Sequence, residues 1–365
     1  MYHTYLPSYS VGPDCYKEIP WATRHFGKKA VAIGGKTAME KAHDALLEGI
    51  EGSDVQIVDF IWYGGDATFA NAQALLENPV VQGADMVFAI GGGRAVDTCK
   101  VVAEKLDKPL FAFPTIASNC ASTTAIAVIY DENGNFQQYF YRETPPEHTF
   151  INTRIIAQAP EAWMWAGVGD ALSKGPEVEL AARSSALLSH APMLGVQCSG
   201  ACPEPLLEHS YQALADNRAG RDSEPLEEVV LDIIVTTGVV SNLTASPEGE
   251  YYYNSSLAHA FYNGSTAVPG SHKHRHGELV AFGVLVLLTA ENRLEERAKY
   301  GACIHKLGLP VTLEQLDIRK EDLPAIAEKA STTTEWTCVP EPLTKEAFIA
   351  AIEGADAYGR TLVKS

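Results

Sequence analysis

The chain has 365 residues, 46% of them hydrophobic, enough to bury the cores of about two domains. Its formal net charge of −18 argues against a partner such as nucleic acid or an anionic membrane surface, which an acidic protein repels. No apolar stretch is long enough to span a bilayer, no signal peptide is evident, and the seven cysteines lack paired metal-ligand spacing, so a cytoplasmic protein with free thiols is expected.

Up to about residue 155, short apolar runs alternate with amphipathic segments. The strand-like runs are Ala30–Ile33, Val55–Ile61, Met86–Ile90, Leu110–Phe113 and Thr124–Tyr130, and helical periodicity lies at Met39–Leu47, Ala67–Leu76 and Ala95–Leu106. That alternation predicts a parallel sheet covered by helices. Asp131-Glu132-Asn133-Gly134, between Ile126–Tyr130 and Phe136–Tyr141, predicts a hairpin with a type I′ turn, which Asn-Gly suits. After Pro160 helical periodicities dominate, with breaks near 195–204 and 246–250. The expected boundary lies at 155–162, giving an α/β domain over 1–157 and a helical domain over 158–365. The segment Gln197–Pro225 is the least regular and is expected to be partly mobile.

The most informative motif is Ile90-Gly91-Gly92-Gly93-Arg94-Ala95-Val96-Asp97-Thr98-Cys99-Lys100, entered from the apolar run Met86–Ala89. A helix start behind three glycines offers unpaired N–H groups and a positive dipole end, with no Cβ to hold a ligand away. That is a cradle for a pyrophosphate, although it matches neither G-x-G-x-x-G nor a Walker loop. A plain strand-to-helix turn is the alternative, and the glycines alone do not decide between them.

Three pieces of the second half carry metal-ligand chemistry: Gly167–Leu172 with Asp170, Leu257–Gly264 with His259, and Ser271–Glu278 with His272, His274 and His276. One carboxylate and two imidazoles suit Zn²⁺ or Fe²⁺, with a position left for water or substrate. By spacing alone the plainer readings prevail: a helix-terminal carboxylate, a core histidine and a polar surface loop.

Taken together, Gly91–Thr98, Pro114–Ser118, Ala127–Gly134, Ala166–Leu172, Ala258–Gly264, His276–Gly283 and Gly308–Ile318 resemble the iron-containing alcohol dehydrogenase superfamily, and within it the glycerol dehydrogenase branch, nearly end to end. The resemblance implies an N-terminal Rossmann-like parallel-sheet domain that binds a dinucleotide, an all-helical C-terminal domain as in dehydroquinate synthase-like folds, and an active site in the cleft. It implies Asp170, His259 and His276 as metal ligands and catalytic residues. Lys174 stands where some branches add another histidine, so three protein ligands, and zinc rather than iron, are expected. For the cofactor, NAD or NADP, it implies Gly91, Gly92, Gly93 and Arg94 at the pyrophosphate, and Asp97 capping the turn or facing the nicotinamide. Thr115 and Ser118 would line the dinucleotide, and Thr124, Ile126 and Tyr130 the nicotinamide ribose, with strand packing as the alternative for the last three. A homo-oligomer acting on a small-molecule substrate is implied as well.

The chain departs from that pattern in three places. Glycerol dehydrogenases carry an aspartate at the position of Gly35, where a carboxylate binds the ribose hydroxyls of NAD and repels a 2′-phosphate. Gly35, followed by Lys36, therefore predicts NADP(H) use, with looser NAD binding as the alternative. They carry another aspartate, against the polyol, at the position of Cys120. A thiol accepts hydrogen bonds poorly and does not repel a substrate carboxylate, which resembles a related branch that reduces 2-oxo acids; a small packing residue is the alternative. Cys120, Asp170 and His259 form the expected substrate-binding set. Finally, Tyr251–Ser256 replaces a glycine-rich approach to His259, and Lys174-Gly175-Pro176 predicts a broken helix after Asp170.

The expected activity is a metal-dependent NAD(P)(H) oxidoreductase interconverting a small hydroxy compound and its carbonyl, favoured as a 2-oxo acid reductase, with an NAD-linked polyol dehydrogenase as the alternative. His272 or His274 is a candidate proton relay. A dehydroquinate synthase-type lyase would need more basic residues near the metal motifs than Lys174, Lys273 and Arg275. A degenerate nucleotide-binding protein is opposed by the intact ligand set.

Overall fold

The structure is a computed structural model describing residues 4–134, 136–246, 249–340 and 342–364. Met1–His3, where the N-terminal reading begins, and residues 247 and 248 of the 246–250 break lie outside the described residues. Among the described residues no helix is long and apolar enough to cross a membrane.

The strands are β1 (Tyr9–Val11), β2 (Lys29–Gly34), β3 (Gln56–Trp62), β4 (Met86–Gly91), β5 (Leu110–Pro114), β6 (Ile126–Tyr130), β7 (Phe136–Tyr141) and β8 (His148–Ile151). Six form a parallel sheet in the order β1-β8-β5-β4-β2-β3. β4 and β5 are buried along their whole length, which is why they read as unbroken apolar runs and not as alternating ones. The period of two sends Ala30, Ala32, Phe88, Ile90, Phe111 and Phe113 to one face, against Met39, Ala42 and Leu46 of helix α1 (Lys36–Ile50). Val31, Ile33, Val87 and Ala89 go to the other, with Ala72 and Leu75 of α2 (Phe69–Leu76) and Val96 and Val102 of α3 (Gly93–Lys105). β1 and β8, at one edge, are three and four residues long, too short to show a period in the sequence.

β6 and β7 pair antiparallel, as the hairpin reading expects. The turn is not type I′, however. That turn needs positive φ at both central residues, and Gly134 alone has it, at φ 81°, while Gly134 N–H donates to the Asp131 carbonyl at 3.0 Å.

From Glu161 onward the named elements are helical. They include α4 (Glu161–Ala171), α5 (Lys174–Ala182), α6 (Pro203–Arg218), α7 (Leu257–Ser265), α8 (His276–Ala290), α9 (Leu294–Lys306) and α10 (Lys345–Val363). α8 is buried on all sides from Gly277 to Leu288, with α7, α9 and α10 packed against it. α6 corrects the reading of Gln197–Pro225 as irregular. Pro203 and Pro205 fall in its first turn, where no intrahelical N–H is needed, and Leu206, Ser210, Ala213, Leu214 and Asn217 form its buried stripe.

The chain packs as two compact units, Met1–Trp163 with Ala215–Asn242, and Met164–Leu214 with Leu243–Ser365. In the first, Asn217 donates to the carbonyls of Ile156, Ala157 and Ala159, and Asn242 donates to the Thr123 carbonyl and accepts from Ala125 N–H. These bonds, with one from the Thr123 hydroxyl to the Ile234 carbonyl, help tie 215–242 to the sheet-bearing part.

His148 of β8 is buried, with its Nδ1 2.7 Å from the Ser8 hydroxyl and its Nε2 2.9 Å from that of Ser10. Burial lowers its pKa from 6.5 to about 4. The unfolded chain therefore takes up the proton first, so the stabilisation is complete above about pH 6.5 and is lost as the pH falls towards 4. A shift of that size is worth about 3 kcal/mol. We expect the thermal midpoint to fall more steeply over this window in the wild type than in H148Q; parallel pH profiles would contradict it.

Candidate metal centre

Asp170 lies in the last turn of α4, His259 in the first turn of α7, and His276 opens α8. One ligand atom from each falls within 4.8 Å of the others. Nε2 of His276 is 3.0 Å and Nε2 of His259 3.5 Å from Oδ1 of Asp170. Tetrahedral zinc with N and O ligands spaces its donor atoms ~3.3 Å apart, so the set fits a divalent cation. The Tyr262 ring stands edge-on to His276 at 4.1 Å between centroids. His276 is the most exposed of the three, at 41% of its side chain, which leaves one side of the group accessible.

The spacing is set by backbone against backbone. A Cβ on Gly277 would stand 1.7 Å from the Ala166 carbonyl oxygen, and one on Gly169 2.4 Å from that of Gly277. α4 and α8 therefore touch Cα to carbonyl, at the residues flanking Asp170 and His276. A Cβ on Gly283 of α8 would likewise stand 2.5 Å from the carbonyl of Ala258, the neighbour of His259. Each ligand is thus next to a helix contact that only glycine permits.

The break after Asp170 is present: α4 ends at Ala171 and α5 starts at Lys174, with Pro176 in its first turn. It leaves the ligand group assembled and places Glu177, which the motif reading overlooks. Glu177 is fully buried. Its Oε1 accepts from the backbone N–H of Ser256 (2.8 Å) and of His259 (2.9 Å), and its Oε2 lies 2.6 Å from His259 Nδ1. Holding the proton on Nδ1 turns the Nε2 lone pair towards Asp170 and His276. The available signal was its spacing, a glutamate seven residues and so two helical turns beyond Asp170.

The electrostatics follow. Burial would raise the Asp170 carboxyl, but His276 and His259 beside it hold it well below the usual carboxylate range. Burial would likewise raise Glu177, and His259 lowers it instead. Burial would lower His259, but Glu177 and Asp170 lift it to about 10. Two carboxylates facing two imidazoles thus demand positive charge, from a proton or from a cation.

His272 and His274 stay outside the ligand group. His272 Nε2 lies 3.0 Å from the Thr266 carbonyl at the surface, and His274 sits between Glu278 (3.0 Å) and Asp317 (3.4 Å). Tyr251 and Tyr253 stack on one another, half-buried, while the Tyr252 hydroxyl meets that of Ser255 at 2.6 Å.

In the sheet-bearing unit, Gly92 caps α3, and Cβ atoms on Gly92 and Gly93 would run into Ile116 and Asn119 at 2.6 and 2.7 Å. A side chain at the second or third glycine would thus displace the Ile116 or Asn119 side chain of the neighbouring loop. Gly91 has φ 141° and its carbonyl takes the N–H of buried Thr115 at 3.4 Å. Ser118 is half-buried. Arg94 pairs with Asp66 at 3.0 Å and covers the Tyr130 ring at 5.0 Å. Asp97 points inward, away from either anticipated role, accepting from Lys100 (3.1 Å) and from Val128 N–H (3.2 Å). The fully buried Lys100, also missed, reaches Thr124 Oγ1 (3.3 Å) and the Ile126 carbonyl (2.5 Å). Cys120 is half-buried and caps the short turn Ala121–Thr123. Gly35 caps α1, and a Cβ there would meet only Ala38 (3.7 Å) and Tyr63 (3.9 Å) at ordinary contact. No steric reason excludes a side chain. Lys36 Nζ lies 4.7 Å over the Trp62 ring.

The profile of the family described as iron-containing alcohol dehydrogenase matches residues 7–153. A glycerol dehydrogenase of Escherichia coli is 31% identical over 98% of this chain and 96% of its own length. Hydroxycarboxylate dehydrogenase A, also from Escherichia coli, is 29% identical over 95% of this chain and 97% of its own length. The crystal structure of glycerol dehydrogenase from Schizosaccharomyces pombe superposes with a TM-score of 0.87 and 24% identity over 100% of this chain and 92% of that one, a likeness of fold.

In E177Q the amide would donate to Nδ1 and drive the imidazole proton onto Nε2, the atom a metal needs. We expect a folded protein whose zinc affinity, measured by competition with a chromogenic chelator, falls about 10- to 100-fold. An unchanged affinity would remove Glu177 from the centre.

Proposed function

The chain belongs to the iron-containing alcohol dehydrogenase family, and on that premise we propose that this metal-dependent alcohol oxidoreductase is a zinc enzyme that reduces small 2-oxo acids with NADPH. The observation that carries the proposal is the convergence of Asp170, His259 and His276 with Glu177 behind them. Zinc held at that site would supply a Lewis acid for the substrate oxygen, and a bound nicotinamide would supply the hydride. Asp170, His259 and His276 bind the cation and, through Asp170 and His259, border the substrate. Glu177 fixes the tautomer of His259, and the exposed side of His276 leaves room for an incoming oxygen. Two imidazoles and one carboxylate, with Lys174 in place of a fourth ligand, support zinc.

Cofactor binding is assigned to 1–157, through Gly35, Gly91, Gly92, Gly93, Arg94, Thr115, Ser118, Thr124, Ile126 and Tyr130, with Asp97 supporting the strand behind them. The metal and most of the substrate site are assigned to 158–365. The absence of a carboxylate at Gly35, where a side chain would fit, and the neighbouring Lys36 support NADP(H). Cys120, in place of a carboxylate that would repel an acid, supports a 2-oxo acid, as does the likeness to hydroxycarboxylate dehydrogenase A. The reading extends to a homo-oligomer in a reducing cytoplasm, which seven free cysteines fit. The second reading, an NAD-linked glycerol or polyol dehydrogenase, is favoured by the likeness to glycerol dehydrogenases.

With zinc-loaded protein, we expect 2-oxo acids to be reduced with NADPH in preference to NADH, and G35D to shift the preference towards NADH by about tenfold or more. Turnover of dihydroxyacetone with NADH, and none of 2-oxo acids, would select the polyol reading.

A further inference from the structure

Lys174 is 8% exposed. Its ammonium donates to Oδ1 of Asn254 at 2.8 Å and to the Asn254 carbonyl at 3.3 Å. Among the described residues it has no carboxylate partner, unlike Lys100, the other buried lysine, which has Asp97. An ammonium has three donors, so one is left over, and a buried cation answered only by dipoles lacks a counter-ion.

Its location gives that deficit a meaning. Ser173, in the break between α4 and α5, keeps helical angles (φ −73°, ψ −27°). Lys174 therefore stands one turn beyond Asp170 and one turn before Glu177, on the side of the chain that carries both. Asn254, which holds the ammonium, lies five residues before His259, and the segment between them is clamped to Glu177 through Ser256. A positive charge without a carboxylate partner is thus held by the segment that leads into His259.

We propose that Lys174 is a specificity-determining residue that binds the carboxylate of the substrate beside the metal centre, an inference that rests on the 2-oxo acid reading above. A 2-oxo acid presents a carboxylate one bond from the carbonyl to be reduced, so its anion supplies the missing counter-charge while the neighbouring oxygen meets the metal group. A neutral polyol or hydroxyketone supplies none.

The test uses zinc-loaded wild type, K174M and K174R. Oxamate, a non-reducible 2-oxo acid analogue, is titrated calorimetrically, and kcat and KM are measured with a 2-oxo acid and with dihydroxyacetone. The expected result is that K174M binds oxamate about 10- to 100-fold more weakly, with KM for the 2-oxo acid raised in proportion, zinc content unchanged, dihydroxyacetone kinetics little altered and K174R partly rescued. Equal oxamate binding by K174M and a 2-oxo-acid-reducing wild type would overturn the role of Lys174 alone. A wild type that neither binds oxamate nor reduces 2-oxo acids would overturn the substrate reading, and this inference with it. Parallel loss of zinc and of dihydroxyacetone turnover in K174M would mark the lysine as a structural strap and overturn the proposal.

Discussion

The Glu177–His259 contact is the interaction on which the rest of the centre depends. Glu177 is fully buried yet makes three bonds, two to backbone N–H groups at the start of α7 and one to the imidazole. It thereby caps a helix, fixes a tautomer and brings a second negative charge up to a group that already holds Asp170. A buried carboxylate without such bonds would be strongly destabilising. The cost is offset only if the group carries positive charge, from a proton or a cation, so the local fold and the demand for that charge share one cause.

The helices that bring the ligands together are held by contacts that a single methyl group would abolish. Gly169 against Gly277, and Gly283 against Ala258, press α4, α8 and α7 together beside the three ligand residues. Close backbone contact is stiff, because interiors packed to this density do not deform smoothly. The broken helix after Asp170 belongs to the same design. With Pro176 in the first turn of α5, where its missing N–H costs little, Glu177 follows Asp170 across the break without disturbing it.

Much of this was legible in the sequence, for identifiable reasons. β2, β4 and β5 are buried runs and read as such, and the helix break was announced by Gly175-Pro176. β1 and β8 gave no period because they are too short, and α6 was hidden by prolines that sit harmlessly in its first turn. The turn after Tyr130 was misassigned because Asn-Gly permits a type I′ turn without requiring one. Spacing alone could not bring Asp170, His259 and His276 together, since residues 170 and 276 meet only through the α4–α8 crossing. Lys100 and Glu177 escaped for a common reason. A charged residue in a helix reads as a solvent-facing position, whereas these two point inward to partners that are distant in sequence.

The central claim is a cation held by one carboxylate and two imidazoles, with Glu177 fixing the second imidazole. Zinc-edge X-ray absorption on the zinc-loaded protein tests it most directly. The result expected is a single site with only nitrogen and oxygen neighbours at about 2.0–2.1 Å, including the outer-shell scattering of two imidazoles, that disappears in H259A. A spectrum with sulfur neighbours, with no imidazole scattering, or unchanged in H259A would contradict it.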